Sequence, residues 1–586
     1  MYLSRREFLS LLSIAASAGI LPYAKGLHAG KQPALYGIPN YGNVRLLHIT
    51  DCHAQLLPTY FREPNVNIGV GEARGKIPHI VGDKLLEHFN ISADDVALEH
   101  AFTHINFAEA AERLGKVGGF SHLATLINKL RYEYGENKTL LLDGGDSWQG
   151  SGTAYWTRGN DMVGACNQLG VDVMTGHWEF TYHDNEVLEN IKSFNGEFLA
   201  QNIKLTEDGF FDEQPAYDQD SGHVFKPYTV RELNGIPIAI IGQAFPYTPI
   251  ANPKRFIPFW SFGIREDELQ ELVNSIYENE NPAAVILLSH NGMDVDLKLA
   301  SRVTGITAIL GGHTHDGVPK AIEIKNSKGM TIVTNAGSNG KFLGVMDFDI
   351  KNNKVSGYKY RLIPVFSNLL KADAQMDAYI NKVRQPYLGE LNEELGVTES
   401  LLYRRGNFNG TFDQVICDAL KEQLDSQISL SPGFRWGVSV LPGQSIMMEH
   451  VLSQTCMTYP ETYVRDIKGS DLKLILEDVC DNLFNPDPYF QQGGDMVRLG
   501  GLNYVCDPLE SIGNRITELT LDDGNKIDAN KTYKVSGWAT VGAKSSGSPI
   551  WDVVADHIRE HQEINVTSIN TPKLKNMADN PGVVSK

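Results

Sequence analysis

A chain of 586 residues is too long for one hydrophobic core, and 42% hydrophobic against 21% charged residues is the balance of a soluble globular protein of two to four domains. The net charge of −19 excludes a broad nucleic-acid footprint and adhesion to anionic membranes, because a polyanionic partner would be repelled overall. A small anion could still be held in a cleft by a local cluster of cations.

Residues 1–29 read as a targeting segment. Ser4-Arg5-Arg6-Glu7-Phe8-Leu9 resembles a twin-arginine export signal, and the LLSIAASAGILPY stretch after it is too short to span a bilayer comfortably. A membrane anchor or a buried helix is the alternative reading. Removal of the leader near residues 24–29 is expected to release a periplasmic chain that no longer contacts the membrane. That chain is more acidic still, since the leader carries Arg5, Arg6 and Lys25 against Glu7. Twin-arginine export carries folded proteins, so a metal bound weakly in the Irving–Williams order could be loaded before export.

From residue 42 to 365 apolar runs alternate with amphipathic stretches such as FSHLATLINKLRYEY and EDELQELVNSIYENE, the pattern of an α/β domain. Residues 60–118 interrupt it with weak periodicity and read as an insertion over the site. Its His79, His88, His100 and His104 follow no buried strand, so solvated or packing roles are expected of them. Residues 366–398 read as an inter-domain helix, and residues 399–575 as a separate α+β domain followed by a frayed tail. The six cysteines (Cys52, Cys166, Cys417, Cys456, Cys480 and Cys506) include no CxxC pair; one or two disulfides are possible, with pairing undetermined.

Seven residues of metal-ligand type each follow an apolar run. Asp51 and His53 come after VRLLHIT, Asp146 after TLLLDGG, His177 after VDVMTG, His290 after AVILLS, and His313 and His315 after ITAILGG. Open α/β sheets gather their chemistry at the carboxyl ends of successive strands, so this order points to one assembled site. A lone histidine at a strand end carries little, but two histidines flanking one residue behind a buried strand need a partner. Imidazoles and carboxylates together suit divalent manganese, iron or zinc. Cys52, between two ligands, reads as buried filler on the opposite face.

The ordered set of DxH, GGD, a GxxEF segment, a strand-end His and GHTH resembles the calcineurin-like metallophosphoesterases of the 5′-nucleotidase family over roughly residues 42–570. The resemblance implies a four-layer β-sandwich with flanking helices, joined to a C-terminal α+β substrate-binding domain. It also implies that Asp51, His53, Asp146 and His315 hold one metal, and Asp146, His177, His290 and His313 the other. One motif departs from the nucleotidases, which have GNHEFD where this chain has Gly176-His177-Trp178-Glu179-Phe180-Thr181. The ligand Asn is His177, and the His and Asp that assist the leaving alkoxide are Trp178 and Thr181. Loss of both favours a leaving group already stable without a proton.

The GHWEF variant and the leader resemble the SoxB family of sulfate thiol esterases. That resemblance implies a thiosulfohydrolase with two manganese ions, zinc or iron being alternatives. Its expected reaction, that of an S-sulfosulfanyl-L-cysteine sulfohydrolase, is attack of metal-bound hydroxide on the sulfur of a cysteine S-sulfonate, written Cys–S–SO₃⁻, on a SoxYZ-type carrier whose flexible arm enters the cleft. His177, Trp178 and Glu179 are the expected catalytic residues. Arg435 of FRWG, Arg498, Gly500 and Gly501 are expected to bind substrate, with Trp538 and Tyr504 the candidate stacking aromatics. A monomer is expected. A periplasmic 5′-nucleotidase is the alternative.

Overall fold

The computed structural model describes residues 34–92, 94–542 and 544–584. The twin-arginine leader lies outside the described residues. Two six-stranded sheets form the N-terminal half. The strands of the first are β1 (Val44–Ile49), β2 (Thr139–Asp143), β3 (Val173–Met174) and β4 (Glu197–Phe198). These four run parallel in that order. The second sheet contains β5 (Tyr228–Leu233), β6 (Ile236–Gln243), β7 (Ala284–Ser289), β8 (Ala308–Gly311), β9 (Ile322–Asn326) and β10 (Gly329–Asn335), with β6, β7, β8 and β10 parallel. The long hairpin β11 (Phe342–Lys351) and β12 (Lys354–Pro364) returns to close the first sheet antiparallel beside β1.

Alternation along each strand supplies two apolar faces. Leu46, Ile240, Ile286, Leu310 and Met346 meet between the sheets. Leu47 and Ile49 turn outward to the helices. Helices α1 (Phe120–Tyr134), α2 (Asn160–Leu169) and α5 (Ala374–Arg384) lie against one another on the first sheet's outer side, and α3 (Glu266–Glu280) and α4 (Met293–Arg302) on the second's. The result is helix, sheet, sheet, helix: the expected four-layer α/β sandwich.

The expected inter-domain helix is in two pieces. After α5 the chain tightens into a 3₁₀ turn over Gln385–Tyr387, where Pro386 cannot donate a helical hydrogen bond. A short helical turn, Leu388–Leu391, follows, and Glu394–Thr398 is already a strand of the C-terminal half, paired with Ser445–Met447. That half centres on a four-stranded sheet of β13 (Ile428–Ser431), β14 (Thr462–Lys468), β15 (Arg498–Gly500) and β16 (Thr532–Trp538), in the order β14-β16-β13-β15. Helices α6 (Thr411–Gln423), α7 (Gly469–Phe484) and α8 (Ile550–His561) surround it.

Phe61, Ile80, Leu86, Phe89, Leu98 and Phe102 of the insertion are buried in the main core. One expectation is corrected here. The tail is not frayed. Met577 and Asn580 are buried, Asn67 donates to Gly582, Val81 donates to Pro581, and Asn580 Nδ2 donates to Gly69, so the last described residues are tied to the insertion. The four insertion histidines stay away from the metal ligands as expected. His79 pairs with Asp294 at 2.8 Å, His100 stacks on Phe107, and His88 is exposed. All six cysteines are buried and unbridged; the sulfurs of Cys480 and Cys506 come within 3.8 Å.

Candidate metal centre and the cleft above it

Each ligand-type residue sits just beyond a parallel strand: Asp51 and His53 after β1, Asp146 after β2, His177 after β3, His290 after β7, His313 and His315 after β8. Turning the chain there requires unusual backbone. Asp51, His53, Asp146, His313 and His315 have φ between 44° and 72°, a left-handed conformation costly for residues with a Cβ. Such strain persists only where surrounding structure fixes it. Here the loops hold each other: Asp51 N–H donates to Gly145, His53 N–H to Asp146, and Phe245 N–H to Gly176.

Two ligand groups form around one shared carboxylate. Asp146 joins His177, His290 and His313 on one side and Asp51, His53 and His315 on the other. Asp146 Oδ2 lies 3.0 Å from His290 Nε2, 3.4 Å from His177 Nδ1 and 3.7 Å from His53 Nε2, while Asp51 Oδ1 lies 3.2 Å from His315 Nε2. The outer atoms are occupied: Trp178 N–H donates to Asp146 Oδ1, Thr50 Oγ1 to Asp51 Oδ2, and His290 Nδ1 faces the Gly144 carbonyl at 2.6 Å. That leaves the inner atoms free to bind an ion.

The residues fit a metal pair. His177 Nδ1 and His290 Nε2, which both face Asp146 Oδ2, are buried without a hydrogen-bond partner. An unpaired buried polar atom costs about 1–3 kcal/mol, so two beside one carboxylate are tolerable only if something else engages them. Burial pushes His313 and His315 well below the ordinary imidazole range and His53 down to about 4, which keeps their lone pairs available. Burial would raise Asp146, but His290 and His177 hold it well below the usual carboxylate range.

Glu179 is corrected from a catalytic role to a positioning one. It is fully buried and its two oxygens accept from the N–H groups of Asp146, Ser147, Trp148 and His177 at 2.8–3.2 Å. It pins the loop after β2 to the loop after β3 and has no face left for a substrate.

Above the cluster a cleft of about 160 Å³ is bounded by His177, Trp178, His313 and His315 from one half and by Gly433 to Trp436 and Gln492 to Asp495 from the other. Trp178 meets Phe434 and Trp436 edge-on at 5.5 and 5.0 Å. Phe434 and Trp436 stack at 4.1 Å. Arg435 reaches across, donating to Gly494 O at 2.8 Å and His313 O at 3.3 Å.

Arg498, Gly500 and Gly501 are not in this cleft. Arg498 is fully buried and pairs with Asp413 at 3.4 Å and Asp495 at 3.3 Å. Gly500 faces Ser429 and Cys417, and Gly501 faces the Gln427 carbonyl. The glycines that do approach the site are Gly493 and Gly494, at φ 80° and 78°; a Cβ on Gly493 would lie 2.4 Å from His313 Nε2. Sequence reasoning chose the wrong glycine pair, because QQGGD precedes β15 and the other GG spans its end, and only the fold shows which turn returns to the ligand cluster. Phe245, stacked on His313 at 4.0 Å, was also missed. Trp538 packs behind Phe434 and donates to Ser431, and Tyr504 lies in a separate core, so neither forms a stacking pair in the cleft.

Comparison with known proteins agrees with this architecture. Residues 394–556 match the 5′-nucleotidase C-terminal domain family. The rat 5′-nucleotidase is 27% identical over 518 residues, 78% of this chain and 83% of its own. The structure of a 5′-nucleotidase precursor from Thermus thermophilus shares the fold at 19% identity, with a TM-score of 0.71, 91% of this chain and 99% of that one covered. The sulfate thiohydrolase SoxB of Thermus thermophilus superposes with a TM-score of 0.84 at 32% identity, covering 92% of this chain and 98% of its own. No helix among the described residues is long and apolar enough to cross a membrane. With both halves matched across nearly the whole of that relative, this chain belongs to the SoxB family within the 5′-nucleotidase superfamily of metal-dependent hydrolases.

Proposed function

We propose that this hydrolase releases sulfate from an S-sulfosulfanyl-cysteine on a SoxYZ-type carrier protein in the periplasm. The observation that carries the reading is Trp178 in the wall of the cleft beside the ligand cluster. Trp178 occupies the wall where an acid would stand. Among the described residues that line this cleft, the carboxyl outside the ligand cluster is Asp495; burial would raise it, but Arg435, Arg498 and Arg405 hold it below the ordinary range, so it stays ionised. An alkoxide leaving group would benefit from protonation as its bond breaks; a persulfide leaves as a stable anion.

When bound, two divalent cations, with manganese the proposed pair, would grip the sulfonate oxygens and supply an activated water. The chain's own residues do the rest. Arg435, fixed by the Gly494 and His313 carbonyls, offers its remaining N–H groups to the sulfonate. Trp178, Phe434 and Trp436 exclude water from the S–S bond. Gly493 and Gly494 keep one wall thin enough for a peptide arm. The atom balance selects the substrate. Water adds oxygen to the terminal sulfur of Cys–S–S–SO₃⁻, the S–S bond breaks, and sulfate, a proton and Cys–S–SH result. Plain Cys–S–SO₃⁻ would leave a thiol instead.

The test offers the manganese-loaded protein AMP and, separately, a carrier bearing Cys–S–S–SO₃⁻. Sulfate without phosphate is expected. Phosphate from AMP with no sulfate from the carrier would overturn the proposal in favour of a nucleotidase.

A further inference from the structure

The last helix of the C-terminal half carries a second cluster of ligand atoms, on the molecule's surface. His557 and His561, one turn apart on α8, face Glu422 on α6. His561 Nε2 lies 2.9 Å from Glu422 Oε2, and His557 Nδ1 lies 2.9 Å from the same oxygen. The two imidazole rings stand 4.5 Å apart. His557 is only 8% exposed, and its Nδ1 is buried and out of line for a hydrogen bond with that carboxylate. Asp418, one turn before Glu422, adds a further negative charge beside His557.

We infer that His557, His561 and Glu422 form a third, surface cation site for a borderline transition ion such as zinc, separate from the cluster under the cleft. Two imidazoles four residues apart on one helix face, with one carboxylate from a neighbour, supply three of the four donors zinc takes, and the half-exposed side of Glu422 and His561 leaves room for water as the fourth. The position gives such an ion a task. His561 ends α8, and the next segment, Glu563–Ile564, pairs with the entry strand Glu394–Thr398. A cation there ties α8 to α6 and so secures the strand that closes the C-terminal half. Because it binds the folded form, it raises the melting temperature.

The full-length protein is equilibrated with buffered zinc, and zinc equivalents are counted for the parent, His561→Ala and Glu422→Gln. Both substituted side chains are about half exposed and lie away from the cleft, so the variants are expected to fold and to keep hydrolase activity. The parent is expected to bind one zinc more than either variant, with a zinc-dependent rise in melting temperature that both lose. Equal zinc stoichiometry in all three proteins, or a parent whose extra zinc leaves the melting temperature unchanged, would overturn the inference.

Discussion

Arg435→Ala should leave the protein folded and lower kcat/KM for the carrier substrate on the order of 100-fold, the scale of losing one preorganised donor to a developing anion. Arg498→Ala should do the opposite. It strips a buried guanidinium from Asp413, Asp495 and the Gly406 carbonyl, which costs about 3 kcal/mol of stability. Denaturant unfolding beside steady-state kinetics separates the two; an Arg498→Ala protein of normal stability with a raised KM would return that residue to the cleft. Sequence alone put Arg435 first, because FRWG stands where nucleotidases have a glycine-rich turn with an arginine, and added Arg498 for the glycines beside it; it could not show that Arg498 is buried in a strand. The seven ligand-type residues were legible because each follows a hydrophobic strand, and the fold brings strand ends together. Glu179 was visible as a motif member, but its work is done on four backbone N–H groups, and backbone partners leave no trace in residue order.

At the scale of elements, periodicity located α1, α3 and β7 within a residue or two, because each has an apolar face long enough to show its period. It failed where contacts are distant in sequence. The tail beyond Leu574 is polar and short, and nothing in it announces that Met577 and Asn580 are buried against residues 67–81. The insertion shows weak periodicity for the same reason: its short helices are held by the main core rather than by their own propensity. Removing residues 576–586 should therefore lower the melting temperature by several degrees and expose the insertion to limited proteolysis first. A truncated protein that melts and digests like the full chain would show that these contacts contribute nothing to stability.

Across the whole molecule, the metal cluster lies where both sheets end. Asp51, His53, Asp146 and His177 come from the first sheet, and His290, His313 and His315 from the second, so a bound pair of ions would clamp one sheet to the other. The layers beneath do not depend on that clamp. Leu46, Ile240, Ile286, Leu310 and Met346 fill the space between them, and area burial of such side chains is worth about 1.5–3 kcal/mol each. Chelation should therefore weaken the protein without unfolding it. Metals present at a thousand times their dissociation constant contribute about 4 kcal/mol, which disappears when they are stripped. Calorimetry before and after chelation should show the N-terminal transition falling in temperature while the far-ultraviolet circular dichroism at 25 °C is unchanged. Manganese added back should restore the transition and the hydrolase activity together. Activity that returned without the thermal shift would mean that the bound ions do not clamp one sheet to the other.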